Sequence, residues 1–73
     1  MNIIHPIKDD QGITWAIMAA DNRFMIVWQE PGKSHWLSNP EVFTDPDTAI
    51  KTLERRVAHL NAAYLQEKQE RRK

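Results

Sequence analysis

The apolar residues of this chain follow one spacing in its first part and another in its last part. From Ile13 to Ala19 and from Phe24 to Gln29 they mostly alternate along the chain, which is typical of β-strands. Further on they recur every three or four residues, as on one side of an α-helix. This stripe comprises Ile50, Leu53, Val57, Leu60 and Tyr64. The pattern predicts an α+β fold, with an antiparallel sheet followed by one long C-terminal helix packed on it.

The two strands are separated by Asp21 and Asn22, residue types that tolerate the positive φ angles of a two-residue hairpin turn. Such a turn would place Ala19 opposite Phe24, Ile17 opposite Ile26, and Trp15 opposite Trp28. All six side chains would then share the face that receives the helix. The sequence therefore predicts both the pairing of these strands and the side of the sheet that is buried.

The segments flanking this hairpin are less clearly specified. Residues 1–12, with Pro6 among isoleucines, fit either an edge strand or an apolar arm laid across the sheet. After a turn at residues 30–33, Ser34–Leu37 is predicted to form another strand, and Ser38-Asn39-Pro40 should end it. We therefore expect a meander of three strands, with a fourth left open.

A helix start is encoded in residues 43–50, Phe-Thr-Asp-Pro-Asp-Thr-Ala-Ile. Either Thr44 or Asp45 can cap the helix by accepting a backbone N–H, and Pro46 suits the first helical position. Basic residues near the other end suit the helix dipole. They are Lys68, Arg71, Arg72 and Lys73.

A helix from Pro46 to about Gln69 would be about 36 Å long, whereas a six-residue strand spans about 20 Å. Its last turns must therefore extend beyond the sheet. The apolar stripe ends at Leu65, so fraying of these turns is favoured over contact with another molecule.

The opposite face of the sheet is more apolar than contact with water requires. It would carry Thr14, Ala16, Met18, Met25, Val27 and Gln29. The N-terminal arm or a loop could cover it, or it could be an exposed surface for a partner. Under the second interpretation, Met18, Met25 and Val27 are candidate partner-binding residues, together with His35 and Trp36 from the following segment.

At 73 residues the chain is expected to form one small domain, with an arm or edge strand at 1–12, the sheet at 13–43, and the helix and its charged tail at 44–70. It contains no cysteine, so disulfides and thiolate metal sites are excluded. The longest apolar run is too short to span a membrane, and the N-terminus lacks the pattern of a signal peptide. A cytoplasmic protein, monomeric or weakly dimeric, is the expectation.

Charge is distributed unevenly although the formal net charge is zero. Residues 1–43 hold three Lys/Arg against five Asp/Glu, net −2, and residues 44–73 hold seven against five, net +2. Basic groups along an exposed helix flank and on two turns could contact nucleic-acid phosphates. The candidates are Arg23, Lys33, Lys51, Arg55 and Arg56. An ordinary solvated surface would use the same residues.

No stretch assembles the residues of a catalytic centre. His5, His35 and His59 lie on separate elements without metal-ligand spacing, and the two glycines are isolated. Adjacent acids at Asp9 and Asp10 suit turn hydrogen bonds better than proton transfer. We therefore expect neither an enzyme nor a metal or cofactor site.

One family resemblance bears on function. The hairpin from Trp15 to Val27 and the segment Asn39-Pro40-Glu41-Val42-Phe43-Thr44-Asp45-Pro46-Asp47-Thr48-Ala49 resemble CedA, a family of small bacterial cell division activators. The similarity covers roughly residues 15–57. It implies a three-stranded sheet with one helix, binding to double-stranded DNA, and association with RNA polymerase in transcription regulation, without enzymatic activity. The alternative is a protein–protein interaction module, such as a mobile-element inhibitor, that binds through the apolar second face.

Overall fold

The computed structural model describes the backbone of residues 2–71 and the side chains of residues 2–69. Four strands come first, and one helix follows. They are β1 (Asn2–Lys8), β2 (Thr14–Ala20), β3 (Arg23–Gln29), β4 (Leu37–Ser38) and α1 (Pro46–Arg71). The strands form one antiparallel sheet in the order β1-β2-β3-β4, with the helix packed against it. The predicted α+β class and meander are confirmed, with the fourth strand present.

The β2–β3 hairpin has the predicted register. Asp21 and Asn22 form the turn with φ angles of 51° and 60°. The three predicted pairs are all present, Ala19 with Phe24, Ile17 with Ile26, and Trp15 with Trp28. The rings of the tryptophan pair lie 5.4 Å apart and are tilted by 35°. The hairpin thereby places its branched and aromatic side chains on the face that the helix covers.

The N-terminal segment is an edge strand, so it does not lie across the second face as an arm. Ile4 pairs with Ile17 and Ile7 with Trp15, which places both isoleucines against the core. Between them the register shifts, and His5 has a φ of 53°. This bulge, followed by Pro6, interrupts the edge of the sheet and lets both isoleucines face the helix.

The last strand is shorter and later than predicted. The sequence predicted Ser34–Leu37, whereas β4 contains only Leu37–Ser38. A turn in which Lys33 N–H donates to the Glu30 carbonyl diverts the chain after β3. Beyond Pro40, Phe43 pairs with Phe24 through two backbone hydrogen bonds of 2.7 and 2.8 Å. The edge of β3 is thus covered by two short contacts instead of one continuous strand.

Of the two predicted caps, Thr44 and Asp45, the structure shows that Asp45 caps the helix. Its Oδ2 accepts hydrogen bonds from the Thr48 backbone N–H at 3.0 Å and the Thr48 hydroxyl at 2.7 Å. Pro46 then occupies the first helical position. Of the predicted basic end, the side chain of Arg71 and both Arg72 and Lys73 lie outside the described residues.

The predicted stripe of α1 packs on the sheet. Leu53 and Val57 are buried, together with Ala49, against Ile17 and Ile26 of the hairpin. Half-buried side chains from β1, β3, α1 itself and the adjoining loops surround this cluster. The main hydrophobic cluster of the described residues therefore lies between α1 and one face of the sheet.

At 26 residues, α1 is about 39 Å long, and it extends beyond the sheet as the length comparison predicted. The structure continues the helix to Arg71, so the favoured fraying after Leu65 is not what it shows. The side chain of Leu65 is 57% exposed.

Candidate binding surfaces

The predicted basic residues of α1 lie on its outer side and on the flank that faces the loop after β4. Lys51 and Arg55 are exposed, whereas Arg56 is half-buried. A shallow depression of about 300 Å³ is lined by Thr52, Arg55, Arg56 and His59. We call these four residues with Lys51 the basic flank.

Arg56 has a structural role as well as a charge. Its Nη2 donates a 3.4 Å hydrogen bond to Glu41 Oε1, which ties the loop after β4 to the helix. Its buried Nη1 has no hydrogen-bond partner within the described part of the chain. Because Glu41 already neutralises part of this guanidinium, Lys51 and Arg55 are the basic groups most accessible to an anion.

Glu54 and Arg56 lie on opposite sides of α1. Glu54 faces β1, where its Oε2 lies 3.8 Å from Nε2 of His5. Arg56 faces the opposite side, toward Glu41. An anion approaching the depression beside Arg56 therefore meets Arg55 and His59 with Glu54 on the other side of the helix, whereas Lys51 also interacts with the helix cap Asp45.

Arg23 and Lys33 do not join this flank. Arg23 begins β3, a strand about 20 Å long, and Lys33 lies in the turn after its other end. Arg23 instead lines a depression of about 450 Å³ on the second face, with Met18, Ala20, Asp21 and Met25. The five predicted basic residues are thus divided between the basic flank and two separate sites.

The second face is closed in its middle and open toward the β2–β3 turn. Ala16 and Val27 have 0% exposure although they point away from the helix. Met18 and Met25 are paired across the strands and half-buried. Val27, predicted as a partner-binding residue, therefore offers no surface for direct contact, whereas the two methionines do.

The other two predicted partner-binding residues precede β4. His35 is exposed and Trp36 is half-buried. They are adjacent in sequence but do not line the depression formed by the methionines. A partner would have to reach beyond that depression to contact them.

Asp9, which was considered for proton transfer, has a structural role. The carboxylate is buried and accepts three hydrogen bonds, from the backbone N–H of Gln11 and Ile13 and from the indole Nε1 of Trp15, at 2.9 to 3.0 Å. The turn hydrogen bonds expected for this acid are confirmed. With its oxygens engaged in this way, Asp9 is poorly placed for proton transfer.

Among the residues that the structure describes, no group of three or more histidine, cysteine, aspartate or glutamate side chains could hold a metal ion. Over the same part of the chain, no helix is long and apolar enough to cross a membrane.

Comparison with known proteins adds no relative: no family model, curated protein or solved structure matches this chain.

Proposed function

We propose that this chain is a small non-enzymatic regulator that binds double-stranded DNA through the basic flank, with RNA polymerase as its protein partner. The resemblance of residues 15–57 to CedA implies both partners and a role in cell division. The observation that carries the DNA-binding part is the grouping of Arg55, Arg56 and His59 around one depression, with Lys51 exposed nearby.

Physical chemistry limits what this surface can do. Each neutralised phosphate contributes through counterion release, so two or three basic residues give a logarithmic salt slope of about −2 to −3. A chain with a net charge of zero has no general attraction for DNA. We therefore expect weak, sequence-independent DNA contact, with specificity supplied by the protein partner.

The test is a salt titration of a fluorescent DNA duplex followed by anisotropy. Binding should weaken as salt rises, and the variant Lys51→Gln/Arg55→Gln should reduce the size of the slope by about 2. The matched control, Lys8→Gln/Lys68→Gln, removes the same charge from exposed positions outside the basic flank. Salt-independent binding, or equal effects of the two variants, would refute the assignment.

A second candidate function is favoured by the open depression at Met18 and Met25. On this alternative the chain is a protein-interaction module or inhibitor. Methionine side chains adapt well to a binding partner. Met25→Asp should abolish partner capture from a host lysate treated with nuclease while leaving the fold intact. Unchanged capture by this variant would count against the alternative.

A further inference from the structure

Four apolar side chains form a continuous surface on the second face, near the β2–β3 turn. Met18 and Met25 are cross-strand partners, and Ile3 on β1 is the partner of Met18 on its other side. Ala20 lies on the same face as Met18, two residues along β2. Ile3 is 37% exposed, and the methionines and Ala20 line the 450 Å³ depression. We call these four residues the methionine patch.

The methionine patch is bordered by charges of opposite sign. Asp21 and Arg23 both line the depression, and both are exposed. Within the described residues neither side chain forms an ion pair. A partner that fills the depression would therefore bind best if it placed a basic group opposite Asp21 and an acidic group opposite Arg23.

We infer that the occupant of the methionine patch is a second copy of this chain. An interface with two-fold symmetry uses the same surface on both protomers, so it must be complementary to itself. The methionine patch satisfies this condition, because Asp21 of one protomer can meet Arg23 of its partner, and the converse pair forms at the same time. The inference rests on the second candidate function, namely that this face binds protein.

The size of the surface predicts a weak dimer. A stable, specific interface covers about 800 Å² and 20 to 30 residues on each partner, whereas the methionine patch and its two charges comprise six residues. We expect a dissociation constant on the order of 0.1 to 1 mM. The helix lies on the other face, so dimerisation leaves the basic flank exposed.

Methionine methyl NMR and sedimentation velocity provide the first test. With ¹³C-labelled methionine methyl groups, the resonances of Met18 and Met25 should shift together as the protein is concentrated from micromolar to millimolar. The sedimenting species should approach the mass of a dimer over the same range. Concentration-independent methyl resonances and a monomer at millimolar concentration would overturn the inference.

A charge-exchange experiment tests the pairing itself. Arg23→Glu and Asp21→Lys should each weaken self-association at least about tenfold, because like charges then face each other. An equimolar mixture of the two variants should restore association, since the lysine introduced in one protomer would then face the glutamate introduced in the other. Association that is unaffected in both single variants, or that the mixture does not restore, would overturn the inference.

Two further variants separate a loss of self-association from a damaged fold or a general effect of charge. Lysine is strained at the positive φ of position 21, so Asp21→Asn provides a second variant that tolerates the turn and should also weaken association. Lys51→Gln/Arg55→Gln should leave association unchanged. If the wild-type chain stays monomeric while Met25→Asp still abolishes partner capture, self-association is refuted and the second candidate function stands.

Discussion

Asp9 brings a carboxylate into the buried end of the β1–β2 turn. It is 5% exposed, and its two oxygens bond two turn N–H groups and the indole of Trp15. Its backbone also bonds Ile13 and Gly12. A buried carboxylate is tolerated when hydrogen-bond donors surround it. One of these donors is the Trp15 indole, so the same bond also holds this ring in place against the helix.

Replacing Asp9 by asparagine should therefore destabilise the fold by about 2 to 4 kcal/mol. An amide has one acceptor oxygen, so its NH₂ group would face either the Trp15 N–H or the turn N–H groups. Urea unfolding followed by tryptophan fluorescence measures the change. Asp10→Asn is the matched control, because Asp10 is exposed and bonds Asn61 through its backbone N–H. Equal stability of the two variants would contradict the role assigned to Asp9.

Asp45 gives the stability a specific pH dependence. The Thr48 hydroxyl, and next the Thr48 backbone N–H, lower the pKa of Asp45 below its ordinary value of 3.8. A lowered pKa means that the folded state favours the ionised carboxylate. Its contribution is complete above 3.8 and is lost as the pH falls through the lower, folded-state pKa.

Asparagine caps a helix about as well but lacks the negative charge that favours the positive end of the helix dipole. Asp45→Asn should therefore destabilise the protein at neutral pH, and the difference from wild type should shrink as the pH is lowered below 3.8. Urea titrations of both proteins across this range measure the difference. Thr48→Val removes the largest cause of the shift, so it should move the Asp45 titration, followed by carboxyl NMR, back toward its ordinary pKa. A difference between wild type and Asp45→Asn that stays constant with pH would refute this account.

The sequence predicted these residues unequally. Because Pro46 marks the first turn of the helix, the sequence limited the capping residue to Thr44 or Asp45. The hydrogen bonds that Thr48 donates to Asp45 identify Asp45 as the cap. Asp9 was predicted to bond within its turn, but its burial and its bond to Trp15 were not. Those features depend on the position of the Trp15 indole in the packed core, which no local pattern encodes.

At the scale of elements, strong periodicity predicted β2, β3 and α1 closely. The Asp21-Asn22 turn fixed the hairpin register, and the three-four spacing fixed the buried side of α1. Pro6 left β1 open between an edge strand and an arm, whereas β4 was predicted at Ser34–Leu37, earlier and longer than the observed Leu37–Ser38. The bulge at His5 and the bridge made by Phe43 arise from the fit of the chain to the rest of the sheet, which the local sequence does not reveal.

The helix stripe leads to a direct comparison of two leucines on α1. Leu53 has 0% exposure and Leu65 has 57%. Leu53→Ala should lower the free energy of unfolding by about 2 to 5 kcal/mol through lost burial and a cavity, whereas Leu65→Ala should change it by less than about 0.5 kcal/mol. Thermal and urea unfolding measure both variants, and a similar loss in each would mean that the distal turns of α1 carry part of the core.

The two surfaces were predicted only in part, and the reasons differ. Met18 and Met25 followed from strand alternation, which also assigned Val27 to the face but could not reveal its complete burial. Lys51, Arg55 and Arg56 followed from helical spacing, and His59 lies one turn beyond Arg55 on the same helix. The bond from Arg56 to Glu41 required the path of the loop after β4. Residues on one helix or on one hairpin could therefore be grouped from the sequence, whereas the contact of α1 with the loop after β4 could not.

At the scale of the whole molecule, the long helix makes the chain elongated. Its extents are 50 × 26 × 19 Å, and its radius of gyration is 13.6 Å, compared with about 11 Å for a compact domain of this length. The side chains from Leu65 to Gln69 are all exposed. The distal turns of α1 thus contribute length more than burial.

A chain ending after Leu65 tests this division. It should unfold within about 1 kcal/mol of the full chain, because the described side chains it removes are exposed. Removing the six described helical residues beyond Leu65 should shorten the long axis by about 9 Å, which small-angle scattering would detect as a smaller radius of gyration. A chain ending after Asn61 is the contrasting variant, because it also loses half-buried Tyr64 and should be clearly less stable. If the two truncations were equally destabilised, the distal turns would be part of the folded core, and the core would extend beyond the sheet.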